Sequence, residues 1–258
     1  PAELSRAESV MWEHPDSALS ILRSMPQSSL SSGKNYATWA LLLAQARDKV
    51  YGKRLPDSLN IPFSDKLVQD AMDYFEKEGN LKRMAQTYYY KGQLLKDQKK
   101  ITEAMPFFLK SKEMMTKLDE PLFTYLICQS LGNTYRYQDL YEESLVQLKD
   151  AYQYALRSGN GERISYALSE LGRTYVHKNE MDSALFYFGK SLDNAQRLGN
   201  IELEAMAMGE LGVVYNKLSQ GEKALHYTRK ELDLCLQISS LHKLPQVYYK
   251  IGSAFWSL

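Results

Sequence analysis

Apolar residues recur at helical spacing along most of the chain, and one pattern of positions returns every 40 residues. Each copy of the pattern contains a glycine, which in most copies is followed three residues later by an aromatic residue. The glycines are Gly92, Gly132, Gly172, Gly212 and Gly252, and the clearest copies are LGNTY (131–135), LGRTY (171–175), LGVVY (211–215) and IGSAF (251–255). A fixed period of this kind is typical of repeat proteins, so each copy predicts one structural unit.

A second set of positions follows each glycine at a constant distance. A small residue stands twelve positions on, and a mostly bulkier residue stands sixteen positions on. The small residues are Ala104, Ser144, Ala184 and Ala224, and the later ones are Phe108, Leu148, Phe188 and Thr228. We predict two helices per unit, helix A with the glycine and helix B with the small residue, which approach closely where small side chains meet.

The motif L-G-x-x-Y followed by A-x-x-x-F resembles the tetratricopeptide repeat (TPR). The resemblance implies an all-α fold, a right-handed α-α superhelix (a TPR solenoid) of antiparallel helix hairpins. The period of 40 exceeds the family's usual length of about 34, and the proline that normally ends helix B is absent. Thr116, Leu156, Gln196 and Leu236 stand at that position. Both departures predict that helix B runs on, as in the long-period bacterial subclass that the chain resembles.

Glycine–asparagine pairs are predicted to end the helices that the missing proline leaves open. They occur in EGN (78–80), SGN (158–160) and LGN (198–200). Glycine adopts the left-handed backbone conformation that closes many helices, so we expect helix termini at these three points.

The repeat register predicts a single solenoid over residues 1–258. Its parts are a divergent hairpin at 1–30, a divergent repeat at 36–80 with an inserted loop at 51–63, repeats at 85–120, 125–160, 165–200 and 205–240, and a last helix at 245–258. The last helix ends apolar, which favours a chain that continues over a capping helix. The N-terminal half resembles bacterial TPR proteins whose lipoprotein-type leader has been removed.

Composition and charge narrow the range of functions. The net charge is +1, which argues against a dedicated nucleic-acid binder. No run approaches the length of about 18 apolar residues that a membrane span needs. The four histidines show no metal-ligand spacing, and no nucleophile elbow, P-loop or dinucleotide motif is present. We therefore expect no catalytic residue, no metal site, no cofactor and no enzymatic activity.

The resemblance places the candidate binding site on helices A, which line the concave groove in the TPR family. The family's groove positions correspond here to Tyr89, Gln93, Lys96, Gln129, Asn133, Arg136, Tyr137, Tyr166, Arg173, His177, Asn216, Lys217 and Tyr249. Asparagine amides suit the backbone of an extended peptide, and arginines suit its carboxylates. Because Tyr88, Tyr89 and Tyr90 are consecutive on one helix, we also expect at least one of them to be exposed.

Three functions are consistent with these observations. The leading one is a non-enzymatic scaffold that binds a protein or peptide segment, within a bacterial signalling or envelope-assembly protein on the outer side of the inner membrane. The alternative is a cytoplasmic peptide-sensing domain that controls an attached effector. Helical-repeat RNA recognition is the third, and the near-zero net charge counts against it.

Overall fold

The structure of the protein is a computed structural model that describes residues 1–51 and 65–257. Within these residues every regular element is a helix, which confirms the all-α prediction. Of the loop predicted at 51–63, Tyr51 is the last residue of a helix, and the remainder lies outside the described residues. The chain divides into two compact units, Pro1–Glu120 and Pro121–Leu258, which are described separately. That the whole chain forms one solenoid stays a prediction.

The described residues of the first unit form three helix pairs. The pairs are α1 (Ala2–Val10) with α2 (Pro15–Ser24), α3 (Gly33–Tyr51) with α4 (Asp65–Glu78), and α5 (Leu81–Asp97) with α6 (Ile101–Lys117). A short 3-10 helix at Gln27–Leu30 lies between α2 and α3. The indole Nε1 of Trp39 on α3 donates to the carbonyl oxygen of Leu22 on α2 at 2.9 Å, which ties the second pair to the first.

The described residues of the second unit form three complete hairpins and one further helix. Helices A are α7 (Pro121–Tyr137), α9 (Gly161–His177), α11 (Ile201–Lys217) and the final α13 (Leu244–Phe255), and helices B are α8 (Tyr141–Ser158), α10 (Met181–Leu198) and α12 (Gly221–Gln237). A 3-10 turn at Leu241–Lys243 precedes α13. Each helix packs against the next along the chain, and each helix A also contacts the helix A of the following hairpin.

The helices end as the Gly-Asn pairs predict. Gly79, Gly159 and Gly199 have φ values of 70°, 66° and 62°, in the left-handed region. The following asparagine then caps the next helix, and the side chain of Asn160, for example, accepts a hydrogen bond from the backbone N–H of Arg163 at 3.0 Å. Each Gly-Asn dipeptide therefore ends one helix with its glycine and begins the next with its asparagine.

Helix B continues through the position of the absent proline, as predicted, because Thr116, Leu156, Gln196 and Leu236 lie within α6, α8, α10 and α12. Helices A of the complete hairpins from α5 onward have 17 residues, and helices B have 17 or 18. Other residues take the left-handed conformation where glycine is absent, namely Lys99, Asp119, Asp139, Asn179, Ser219 and Ser239. A helix thus ends every 20 residues, so the 40-residue period is divided equally between helix A and helix B.

The repeat glycines allow helix A to approach helix B. A Cβ atom added at Gly172 would lie 2.6 Å from the ring of Phe188, and one added at Gly132 would lie 2.5 Å from Leu148. Such distances are well inside van der Waals contact, so only glycine fits without displacing the neighbouring helix. The residue sixteen positions after the glycine therefore fills the space that the missing side chain leaves.

Candidate functional site

Ion pairs connect three helices A of the second unit. Arg136 on α7 donates from Nη1 to Oε2 of Glu170 on α9 at 2.8 Å. Arg173, also on α9, donates from Nη1 to the other Glu170 oxygen at 2.7 Å and from Nε to Oε1 of Glu210 on α11 at 2.8 Å. Alternating charges thus run from α7 to α11, and we call Arg136, Glu170, Arg173 and Glu210 the charge ladder.

The ladder is largely removed from solvent. The side chains of Arg136 and Glu170 are each only 10% exposed. Burial disfavours the charged guanidinium of Arg173, but the carboxylates of Glu210 and Glu170 outweigh it and raise its pKa. Hydrogen bonds between ionised partners are the strong ones, and removing one partner leaves a buried charge uncompensated. The ladder therefore holds these three helices in register.

This pairing changes what the two predicted arginines can do. The sequence suggested that Arg136 and Arg173 would hold the carboxylates of a ligand, but both already bind carboxylates of the protein. An acidic ligand would have to displace Glu170 or Glu210. The face of helices A in this unit is therefore close to electrically neutral where the ladder crosses it.

Three exposed side chains stand at one register beside the ladder. Tyr137, which is 71% exposed, His177 and Lys217 lie at the C-terminal ends of α7, α9 and α11, one repeat apart. The ring of His177 stacks on that of Tyr141 with the centroids 6.1 Å apart. Partial burial lowers the pKa of His177, and the charges of Arg136 and Lys217 lower it further. A row of aromatic, imidazole and ammonium groups results, which we call the A-helix row.

The remaining predicted residues of the second unit lie in different surroundings. Gln129, Asn133 and Tyr166 are half-buried. Among the described side chains, Asn133 has a buried Oδ1 without a hydrogen-bond partner. Asn216 is occupied by the last helix, because its Nδ2 donates to Ser253 Oγ at 2.8 Å and its Oδ1 accepts from Ser257 Oγ at 2.7 Å. Tyr249 on α13 is 78% exposed.

In the first unit, the predicted residues of α5 belong mostly to the core. Tyr89 and Gln93 are buried, and the Nε2 of Gln93 donates to the hydroxyl of Tyr89 at 2.8 Å. Lys96 is half-buried. Its ammonium lies near Asp48, whose pKa is raised to about 6 by burial, an effect that Lys96 partly opposes.

The expectation of an exposed tyrosine at 88–90 is wrong. Tyr88, Tyr89 and Tyr90 are all buried, because α5 is covered by α6 on one side and by α3 and α4 on the other. Tyr88 packs against Phe107, and Tyr89 packs against Phe108. These tyrosines therefore form core, and burial together with the carboxylate of Glu76 raises the pKa of Tyr88 to about 12.

The sequence analysis did not identify a partly buried ion pair between α12 and α13. The Nζ of Lys250 on α13 lies 2.8 and 3.0 Å from the two carboxylate oxygens of Glu231 on α12. A Cβ atom added at Gly209 would lie 2.4 Å from Glu231 Oε1, so the glycine makes room for the pair. Ser111, Ala151 and Ser191 occupy the position of Glu231 in the earlier repeats. This departure from the repeat was visible in the sequence and could have identified the pair.

The described residues contain no cluster of three or more His, Cys, Asp and Glu side chains that could hold a metal ion. Among the same residues, no helix combines the length and apolar character that crossing a bilayer requires. Both cysteines, Cys128 and Cys235, are free and buried.

Comparison with known proteins gives matches among solved structures only. No protein-family model and no curated protein matches the chain. The apo form of RapI has a TM-score of 0.75 at 13% identity, over 98% of this chain and 70% of that one. A Rap protein complexed with competence and sporulation factor has a TM-score of 0.59 at 12% identity, over 98% of this chain and 85% of that one.

A third similar structure is larger than this chain. It is a Signal Transduction ATPase with Numerous Domains (STAND) protein with a tetratricopeptide repeat sensor from Pyrococcus horikoshii. Its TM-score is 0.73 at 17% identity, and the match covers 99% of this chain and 41% of that one. At such low identities these matches show the fold. The similar structures are TPR-like helical solenoids, which confirms the predicted fold class.

Proposed function

We propose that the protein is a non-enzymatic scaffold that binds a segment of a partner protein across helices A of the second unit. The A-helix row carries this proposal, because Tyr137, His177 and Lys217 repeat one exposed position on three helices that the charge ladder holds together. A repeated position on a rigid array contacts successive parts of an extended segment. The Rap protein complexed with competence and sporulation factor supports binding as the task of this fold.

The size of the row indicates the size of the ligand. Packed helices lie about 8–10 Å apart, so three neighbouring helices A extend over roughly 20 Å. An extended chain rises about 3.3 Å per residue, and a segment of about six residues would therefore contact all three helices. This length suits a short linear motif rather than a folded domain.

The chemistry of the row indicates the kind of ligand. Because the ladder arginines are already paired, ligand recognition rests on the exposed ring of Tyr137, the imidazole of His177 and the ammonium of Lys217. Aromatic side chains with a polar group are common anchors at interfaces. We expect a ligand with apolar or aromatic side chains and at most a modest negative charge, rather than a strongly acidic tail.

The biological setting of this binding is also a proposal. The N-terminal resemblance to leader-bearing bacterial TPR proteins supports a signalling or envelope-assembly role outside the cytoplasm. The alternative is a cytoplasmic peptide-sensing domain that controls an attached effector. The similar structure with a TPR sensor in a signal-transduction ATPase supports this alternative.

The test uses peptides selected from a random library against the wild-type chain. The triple variant Tyr137→Ala, His177→Ala, Lys217→Ala should weaken binding of the selected peptides by about tenfold or more, since anchor residues each contribute over 1 kcal/mol. The matched control replaces Val146, Phe186 and His226 by alanine, which are exposed, lie one repeat apart and belong to helices B. Peptides that bind both triple variants as they bind the wild type would refute the proposed site.

A further inference from the structure

Two basic side chains of the A-helix row have no carboxylate partner among the described residues. They are His177, at the end of α9, and Lys217, at the end of α11. The described cations beside them are occupied. Glutamates of the charge ladder pair with its arginines, and Lys178 lies 2.6 Å from a carboxylate oxygen of Glu142 and 2.7 Å from one of Glu180. One permanent and one titratable positive charge therefore remain available at this part of the row.

The surroundings of His177 keep its ring uncharged at neutral pH. Partial burial lowers its pKa, and the positive charges of Arg136 on α7 and Lys217 on α11 lower it further. The carboxylate of Asp139 opposes these effects, but it already accepts a hydrogen bond from the hydroxyl of Tyr141 at 2.6 Å. Tyr141, on α8, in turn stacks on the imidazole. Since the ordinary pKa of histidine is about 6.5, His177 gains its charge only in mildly acidic solution.

The helix ends beside the row act against an anion. Tyr137, His177 and Lys217 are the last residues of α7, α9 and α11, and the carbonyl groups at the C-terminal end of a helix carry partial negative charge. At neutral pH a ligand carboxylate is therefore attracted by the ammonium of Lys217 and repelled by these carbonyl groups. A charged imidazole at His177 adds a second attraction, because opposite charges a few ångströms apart stabilise each other. Protonation of one side chain thus decides how firmly the row holds a carboxylate.

We propose that the A-helix row binds a segment whose acidic side chain lies between His177 and Lys217, and that this binding strengthens as the pH falls. The inference rests on the proposed function and adds to it a ligand class and a control by acidity. The exposed ring of Tyr137 would contact an apolar side chain of the same segment. Neighbouring helices A lie about 8–10 Å apart and an extended chain rises about 3.3 Å per residue, so the apolar and acidic residues stand about four positions apart.

Peptides selected from a random library against the wild-type chain provide the probes. Those that lose affinity for the Tyr137, His177 and Lys217 triple variant bind the row, and we expect them to contain an aspartate or a glutamate. Each is prepared in two forms, one with the acidic residue and one with the corresponding amide. Calorimetry at about pH 7.5 and about pH 5.5 should show the acidic form binding about threefold to tenfold more tightly at the lower pH, since a shift of one pKa unit corresponds to a tenfold change in affinity. The amide form should bind equally at both.

Paired substitutions locate the effect. His177→Gln removes the charge but keeps a polar side chain, so the acidic peptide should bind this variant equally at both pH values. His226→Gln is the matched control, because His226 is also exposed but lies on a helix B, and it should keep the pH dependence of the wild type. Lys217→Gln should weaken the acidic peptide by about threefold at both pH values. Its control, Lys149→Gln, changes an exposed lysine of α8 and should have no effect.

A spectroscopic readout reports on His177 without measuring affinity. The ring-proton NMR signal that is missing in His177→Gln belongs to this side chain, and its dependence on pH gives the pKa. The acidic peptide should raise this pKa, because its carboxylate stabilises the imidazolium, whereas the amide form should leave it unchanged. The rise in pKa and the gain in affinity should agree, since protonation and ligand binding are reciprocally linked.

Several results would overturn the inference and leave the proposed function intact. Peptides that need the row could lack an acidic residue, bind equally at both pH values, or leave the pKa of His177 unchanged. Persistence of the pH dependence in His177→Gln, or its loss in His226→Gln, would assign it to another group. If instead every selected peptide binds the Tyr137, His177 and Lys217 triple variant as it binds the wild type, the proposed function fails and this inference fails with it.

Discussion

Helices α9 and α13 derive from the same repeat pattern but lie in different surroundings. Gly172 on α9 contacts the ring of Phe188, whereas a Cβ atom added at Gly252 on α13 would meet no described atom within 4 Å. The tyrosine of the pattern on α9, Tyr175, stacks on Tyr187 with the ring centroids 5.3 Å apart, whereas Phe255 on α13 is exposed. The comparison shows that the pattern specifies a shape for helix A, and that neighbouring helices decide whether this shape becomes core or exposed surface.

The same two helices differ in how they use charge. Glu170 on α9 and Lys250 on α13 occupy equivalent positions of the repeat. Glu170 bridges Arg136 on the preceding helix A and Arg173 on its own helix. Lys250 instead pairs with Glu231 on the preceding helix B. The charge ladder thus connects helices A in the middle of the unit, while the last pair anchors a single helix at its end.

The largest expected effect on stability comes from removing Glu170, the carboxylate of the charge ladder on α9. Glu170→Ala should lower the free energy of unfolding by about 3 kcal/mol or more, because it leaves the guanidinium of Arg136 buried without its carboxylate. Urea denaturation followed by circular dichroism measures the loss. Glu113→Ala, which removes the exposed partner of Lys117 on α6, is the control and should leave stability nearly unchanged. Equal stability of both variants would mean that solvent, rather than the protein, satisfies Arg136.

Alanine substitutions at Gly172 and Gly252 should change stability by smaller amounts and in opposite directions. Gly172→Ala should destabilise the protein by about 1–3 kcal/mol, because the new methyl group overlaps Phe188 and forces the hairpin apart. Gly252→Ala should stabilise it by about 0.5–1 kcal/mol, because alanine favours the helix and meets no neighbour. Thermal and urea unfolding of both variants test the contrast. Destabilisation by Gly252→Ala would show that another helix covers Gly252 in solution.

The fold could be predicted from the sequence because its determinants are local and repeated. The glycine register, the Gly-Asn helix ends and the A-x-x-x-F step each depend on residues within one hairpin. Burial of Tyr88–Tyr90 could not be predicted in this way, since it depends on α3 and α4 covering a helix that a two-helix unit would leave half exposed. Local pattern therefore predicts the hairpin, and tertiary neighbours decide which of its faces remain accessible.

The candidate site could be predicted only in part, for a related reason. The repeat pattern identifies the positions on helix A. The ion pairs between side chains of neighbouring helices depend on the offset between those helices, which the pattern does not give. Arg136 and Arg173 have suitable chemistry for a ligand carboxylate, and the stacking of α7, α9 and α11 instead presents them with Glu170 and Glu210. Exposed Tyr137, His177 and Lys217 remain at that register and await a test.

The smallest expected effect concerns the pH dependence of the anchor on α13. Burial raises the pKa of Glu231, although the nearby ammonium of Lys250 opposes this. A raised native pKa means that the folded protein binds the proton more tightly than the unfolded chain does. The contribution of Glu231 to stability therefore falls as the pH rises above the usual glutamate pKa of about 4.3.

Glu231→Gln removes the titration and nearly preserves the shape of the side chain. Between about pH 4 and pH 7, wild type should therefore lose stability relative to Glu231→Gln, as measured by urea denaturation at each pH. The opposite trend would mean that attraction to Lys250 outweighs burial and lowers the pKa of Glu231. The pair on α13 would then resemble the charge ladder, in which opposite charges outweigh the cost of burial.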